Sequence, residues 1–160
     1  MTKHRPPLVP ALRVQEIDGG RLALDQTVEY RIQGRTPEGW TDQARLRVVS
    51  IPAFLALKGN ALGRRRKQKD AYDVYYVIHN YPEGLDVLVE ACRDLLPDPL
   101  VQGAFRQIAE KFGTAESYGP GTVSTFLRSR LPLGFTEEQV RVDAYRQVSA
   151  WARRLGVFGA

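Results

Sequence analysis

Cysteine is nearly absent from this 160-residue sequence. Cys92 stands alone, which excludes an internal disulfide. Histidine is almost as scarce, and His4 and His79 make no zinc-ligand cluster. No apolar run approaches the ~20 residues of a membrane-spanning helix, and the opening M-T-K-H-R-P-P lacks the apolar centre of a signal peptide. A reducing, cytoplasmic setting without a membrane partner is therefore expected. The signatures G-x-S-x-G and H-E-x-x-H are missing, as is any catalytic cysteine arrangement. Gly119-Pro120-Gly121-Thr122 is glycine-rich but lacks the lysine of a P-loop. What remains has the composition of a globular protein, one domain long by the usual prior. Its net charge of +5 and pI near 9.6 favour an anionic partner: phosphate, nucleotide, nucleic acid or acidic protein.

Residues 1 to 11 are proline-rich and read as an arm, and L-R-V-Q-E-I after them as a short strand closed by Asp18-Gly19-Gly20. Leu22, Leu24, Val28, Tyr30 and Ile32 then alternate with polar residues, the pattern of a strand, or kinked strand, with one face buried. A polar turn from Gly34 to Thr41 leads to a return strand over Ala44 to Val49, so antiparallel pairing is expected. Beyond Tyr81 the periodicity is helical. One helix starts at Pro82 and carries Leu85, Leu88, Val89 and Cys92 on one face; the next runs from Pro99 to Phe112. Residues 113–122 read as a loop before a helix with Val123, Phe126 and Leu127. Thr136 and Gln139 then make a capping-box pattern for a last helix with the stripe Val140, Ala144, Val148, Trp151 and Leu155. The expected fold is α+β: a small antiparallel sheet over residues 12–49 packed on a C-terminal helical region, in a single domain.

The stretch Ser50 to Tyr81 carries the chemistry. It reads as two helices joined by a basic loop. Ser50 and Pro52 suit a helix start, and Lys58 then emerges from a largely apolar surface where its charge needs a partner. Asp70 and Asp73, three apart at the start of the second helix, share a face and are the candidates. The same acids equally suit the positive end of a helix as cap and first-turn residues, and Lys58 equally suits a snorkelling or ion-paired structural role. The loop Arg64-Arg65-Arg66-Lys67-Gln68-Lys69 reads either as a solvated connection or as a phosphate-binding rim, because guanidinium forks match phosphate oxygens. No aromatic interleaves the basic run, which argues against a single-strand stacking platform there. Gly59 and Gly63 weaken a helix, which makes sense where something approaches its backbone closely.

The segments I-P-A-F-L-A-L-K and K-D-A-Y-D-V-Y-Y-V-I, with the basic bridge between them, resemble the later motifs of AbiEii-type nucleotidyltransferases, a branch of the polymerase-beta-like superfamily. The resemblance covers about a fifth of the chain. It implies that Lys58 faces nucleotide phosphates and that Asp70 follows as the motif aspartate, with Asp73 the second acid of its helix. Arg64, Arg65, Arg66 and Lys69 join Lys58 as the expected phosphate-binding set. The family holds magnesium through an upstream Gly-Ser motif followed by paired acids, plus an acid on a neighbouring strand. This chain has no Gly-Ser dipeptide, and its one close acidic pair before Lys58 is Glu16 and Asp18. The expectation is a nucleotidyltransferase-like domain that is catalytically incomplete, with no metal ligands assigned, lacking an upstream catalytic portion. Magnesium with a nucleoside triphosphate is the implied cofactor. A non-catalytic module binding RNA or a protein through the same basic face is the alternative; an antitoxin, or self-association, is the protein partner to consider.

Overall fold

The computed structural model describes residues 3–4, 14–15, 19–64, 67–131 and 134–158. The chain divides into two compact units, Met1–Ser50 and Ile51–Ala160, and the fold is α+β, as expected, with its large helical region C-terminal.

In the first unit a short ladder pairs β1 (Lys3–His4) with β2 (Val14–Gln15), antiparallel. The rest of the expected arm and first strand, Glu16 and Asp18 included, lies outside the described residues. Gly19, at φ +81°, opens a helix α1 over Gly20–Asp25. This corrects the expectation of a strand through Leu22 and Leu24. Alternation over so few residues does not separate one and a half helical turns from a strand, and the left-handed glycine is what turns the chain. The strand begins only at Thr27. β3 (Thr27–Arg35) and β4 (Thr41–Val49) form an antiparallel hairpin, β3 starting and ending later and β4 starting earlier than the pattern indicated, with Val28 opposite Val48, Tyr30 opposite Leu46 and Ile32 opposite Ala44. These residues share one face because strand side chains alternate. That face is not buried: Val28, Tyr30, Ile32, Leu46 and Val48 are 41 to 56% exposed. On the other face the Arg47 guanidinium donates to the Thr27 hydroxyl.

The second unit is a helical assembly around one core. α2 (Ile51–Arg64) and α3 (Gln68–His79) flank the basic loop. α4 (Leu85–Arg93) starts after Gly84 rather than at Pro82, which sits in the preceding turn. α5 (Pro99–Lys111) begins on Asp98, whose carboxylate accepts from the Leu100 N–H. α6 spans Tyr118–Leu127, so the expected loop through Thr122 is too long. Pro120 lies in the first turn of α6, where its missing N–H costs nothing, and Gly119 lets the Phe112 ring close against the helix. After a 3-10 turn at Arg128–Arg130, α7 runs from Glu137 to Leu155 behind the Thr136 and Gln139 capping box, and Gly156 ends it at φ +77°.

The core takes one stripe from each helix: Leu55 from α2, Val74 from α3, Leu88 from α4, Phe105 from α5, Val123 from α6 and Trp151 from α7, all fully buried. The Phe105 and Trp151 rings meet edge to face at 5.2 Å, a geometry that suits the ring quadrupoles. α2 and α5 approach closely at Gly59. A Cβ there would lie 2.2 Å from the Ala104 carbonyl oxygen, so this glycine is required by packing. Among the described residues no helix is long and apolar enough to cross a membrane.

Candidate functional site

α2 and α3 are held together by charge as well as by apolar contact. Lys58, on the second half of α2, projects its ammonium between two carboxylates of α3. It donates to Asp70 Oδ1 at 2.9 Å and lies 2.7 Å from Asp73 Oδ2. Asp70 is buried, and the Asp73 side chain nearly so. The geometry follows from helical spacing, because residues three apart point the same way and can grip one cation from two sides. Asp70 is not the helix cap: α3 starts at Gln68 with Lys67 as its N-cap residue. It is a first-turn acid, favourably placed at the positive helix end, and its side chain meets Lys58.

Lys69 completes the cluster. Its ammonium donates to both oxygens of Asp73, at 2.7 and 2.9 Å, one turn along α3. Two ammoniums thus face two carboxylates. Their exposures differ: the Lys58 side chain is 19% exposed and the Lys69 side chain 69%. The Phe54 ring, one turn before Lys58, lies 5.3 Å from its nitrogen and adds a cation–π contact. Burial lowers the Lys58 pKa, but hydrogen bonds to Asp73 and Asp70 and the charges of both acids outweigh it, so the net shift is upward. The ammonium therefore stays charged throughout the physiological range. It has three N–H donors. The two acids engage two, and the third is uncommitted among the described residues.

The remaining members of the expected phosphate rim are placed in part. Arg64 is exposed at the C-terminal end of α2, and Lys67 is exposed just before α3. Arg65 and Arg66 lie outside the described residues. A second polar cluster, which the spacing did not reveal, joins α3 to α7. The Tyr75 hydroxyl donates to Asp143 Oδ2 at 2.7 Å, Gln147 donates to the other oxygen at 3.4 Å, and His79 Nδ1 lies 3.6 Å away. Burial raises the Tyr75 pKa, and Asp143 raises it further.

Asp70 and Asp73 both engage the Lys58 ammonium, which occupies the place between them where a metal would sit. Among the described residues, no three His, Cys, Asp or Glu side chains are grouped to hold a metal. Comparison of the chain with protein-family models, curated proteins and solved structures finds no match.

Proposed function

We propose that the helical unit is a nucleotidyltransferase-like domain, incomplete for catalysis as it stands, in which Lys58 binds the phosphates of a nucleotide. The observation that carries this reading is the Lys58 ammonium, fixed by Asp70 and Asp73 yet still partly exposed. A lysine side chain ordinarily loses ~2 kcal/mol of rotamer entropy when it is immobilised. Here the two acids have already restricted it, so a phosphate oxygen meets a positioned donor. Lys69 brings a second ammonium to the same acids, and Arg64 and Lys67 add cations at the adjoining helix ends. Beside Lys58, Lys69 and the two acids, the exposed Lys67 ammonium at the start of α3 adds positive charge, which favours an anion. In this arrangement Asp70 orients Lys58, and the nucleotide enters from the exposed Lys69 side.

Isothermal titration with ATP, GTP, CTP and UTP in the presence of magnesium tests the reading. Binding that weakens in Lys58→Ala is the expected result. Because that variant leaves two facing carboxylates without their cation, Lys69→Ala serves beside it: its side chain is largely exposed, its fold is expected to be intact, and it should weaken the same binding. No binding to any nucleotide, or binding unchanged in both variants, would sink the proposal.

A further inference from the structure

Lys69, Tyr72, Asp73 and Tyr76 occupy one face of α3, because residues three, four and seven apart recur on the same side of a helix. The lysine and the acid belong to the Lys58 cluster, and the tyrosines continue the face beyond it. The Tyr72 ring stacks on Phe126 of α6, with centroids 4.7 Å apart and planes 27° from parallel. The Tyr76 ring leans on Tyr72 at 5.7 Å and 41°. Three rings therefore follow one another, Phe126, Tyr72 and Tyr76. The first two are half-buried between the helices, whereas Tyr76 is 51% exposed at the open end.

The aromatic row and the charged cluster are separated by a short step. Tyr76 follows Asp73 by about 4.5 Å of helix rise and Lys69 by about 10 Å, a span comparable to the reach from a base to its own phosphates. An exposed ring supported from behind by two others loses little freedom when something stacks on it, and a π-face beside cations is what an unpaired base with its phosphate requires. The exposed cations Lys67 and Lys69 begin the same helix. Aromatic interleaving is absent from the basic run itself, and the fold supplies it from the next turns of α3 and from α6.

We propose that Tyr76 is a stacking contact for an unpaired base whose phosphate is held at Lys58 and Lys69. This inference rests on the phosphate-binding reading of Lys58 and deepens it by naming the base as part of the ligand. A free nucleotide and the end of a single strand both present that chemistry.

Titration of the full chain with tripolyphosphate, ATP and a four-nucleotide oligoadenylate separates the possibilities. ATP or the oligonucleotide should bind more tightly than tripolyphosphate. Tyr76→Leu should weaken that binding by roughly 5- to 100-fold, the usual worth of one stacked base, and leave tripolyphosphate binding unchanged. Tyr76→Phe should keep wild-type affinity, because it retains the ring. A steep loss of oligonucleotide affinity with salt would identify a single strand as the source of the base, and tighter binding of ATP would identify the free nucleotide. If tripolyphosphate and both adenine ligands bind equally, or if Tyr76→Leu loses nothing, the stacking contact is overturned while the phosphate site stands. If no probe binds, the phosphate site fails and takes the stacking contact with it. Thermal melting of Tyr76→Leu guards the comparison, since a change at this exposed position should leave the fold intact.

Discussion

The hairpin of β3 and β4 and the long helix α7 carry equally regular apolar patterns, yet they end in opposite situations. On α7 the stripe Val140, Ala144, Val148, Trp151 and Leu155 is at most 5% exposed. On the hairpin the five large apolar residues that share a face are all more than 40% exposed. Period fixes which residues lie on one side of an element; only other elements can cover that side. α7 has α3, α4, α5 and α6 against it, whereas the β3/β4 sheet has two strands and, among the described residues, no third. Two-stranded sheets are marginal in isolation. Cross-strand pairs such as Tyr30 with Leu46 contribute only about 0.2–1 kcal/mol each. Stability in this chain is therefore expected to reside in residues 51–158, and substitutions can test how uneven the division is.

The largest effect should come from Trp151→Ala. It removes a fully buried indole and its edge-on contact with Phe105, and large-to-small changes of this kind cost about 3–5 kcal/mol. A denaturant midpoint read by far-UV circular dichroism, dominated by the helices, would measure it. A loss under 1 kcal/mol would show that the helical core is not the seat of stability.

Next comes Gly59→Ala. The added methyl cannot coexist with the Ala104 carbonyl at 2.2 Å, so α2 and α5 must move apart, at a cost of about 1–3 kcal/mol. Gly103→Ala is its natural control, one residue before that carbonyl. A Cβ at Gly103 meets nothing within 4 Å, so alanine there should raise stability by up to about 1 kcal/mol through helix propensity. Opposite signs from the same substitution would locate the close approach at Gly59.

The unequal legibility of the two regions has physical causes. The start and stripe of α7 could be read because they are local chemistry: a reciprocal Thr136 and Gln139 cap and apolar residues at helical period. The hairpin pairing was likewise written in alternation and turn residues. Its exposure was not, because alternation is the same whether or not another layer arrives. α1 went unread because six residues are too few to display a helical period, and the start of α6 because Gly-Pro-Gly is a breaker pattern unless tertiary contact, here Phe112 on Gly119, rewards the helix. In the candidate site, Asp70 and Asp73 were legible as a pair from spacing, and their grip on Lys58 followed from a charge in apolar surroundings. The ring row was half legible. Lys69, Tyr72 and Tyr76 share a face by spacing alone, but Phe126 comes from a distant helix. Tyr75 and Asp143 are similarly remote in sequence.

Alkaline pH offers a subtler probe of the same contrast, since among the described residues the groups with raised pKa values belong to the helical unit. Burial pushes the Cys92 thiol up to about 12. Lys58 and Tyr75 are also shifted upward. Each raised group binds its proton more tightly in the folded state. Its contribution is therefore complete below its unfolded pKa and is lost as pH climbs towards the folded value. Thermal unfolding should be insensitive to these groups up to about pH 8. The midpoint should then fall, first through Cys92 and above about pH 10 through Tyr75 and Lys58 as well. Cys92→Ala should delay the onset. A midpoint flat from pH 8 to 11 would contradict the burial assigned to Cys92 and Tyr75 and the ion pairs assigned to Lys58.

The smallest effect on stability belongs to the hairpin. Ile32 sits mid-strand at 51% exposure, opposite Ala44, on the uncovered face. Lysine at this position exchanges a half-solvated side chain for one that keeps its stem on the sheet and its charge in water. The expected cost to global unfolding is within about 0.5 kcal/mol, as for ordinary surface changes, against several for Trp151→Ala at a position equally central to its own apolar stripe. The same substitution should have a visible effect elsewhere. A contiguous apolar face is a site for association, so Ile32→Lys should reduce any concentration-dependent mass seen by light scattering. If Ile32→Lys instead destabilised the chain as strongly as Trp151→Ala, the face would have to be covered in solution, and the contrast between the two regions would disappear.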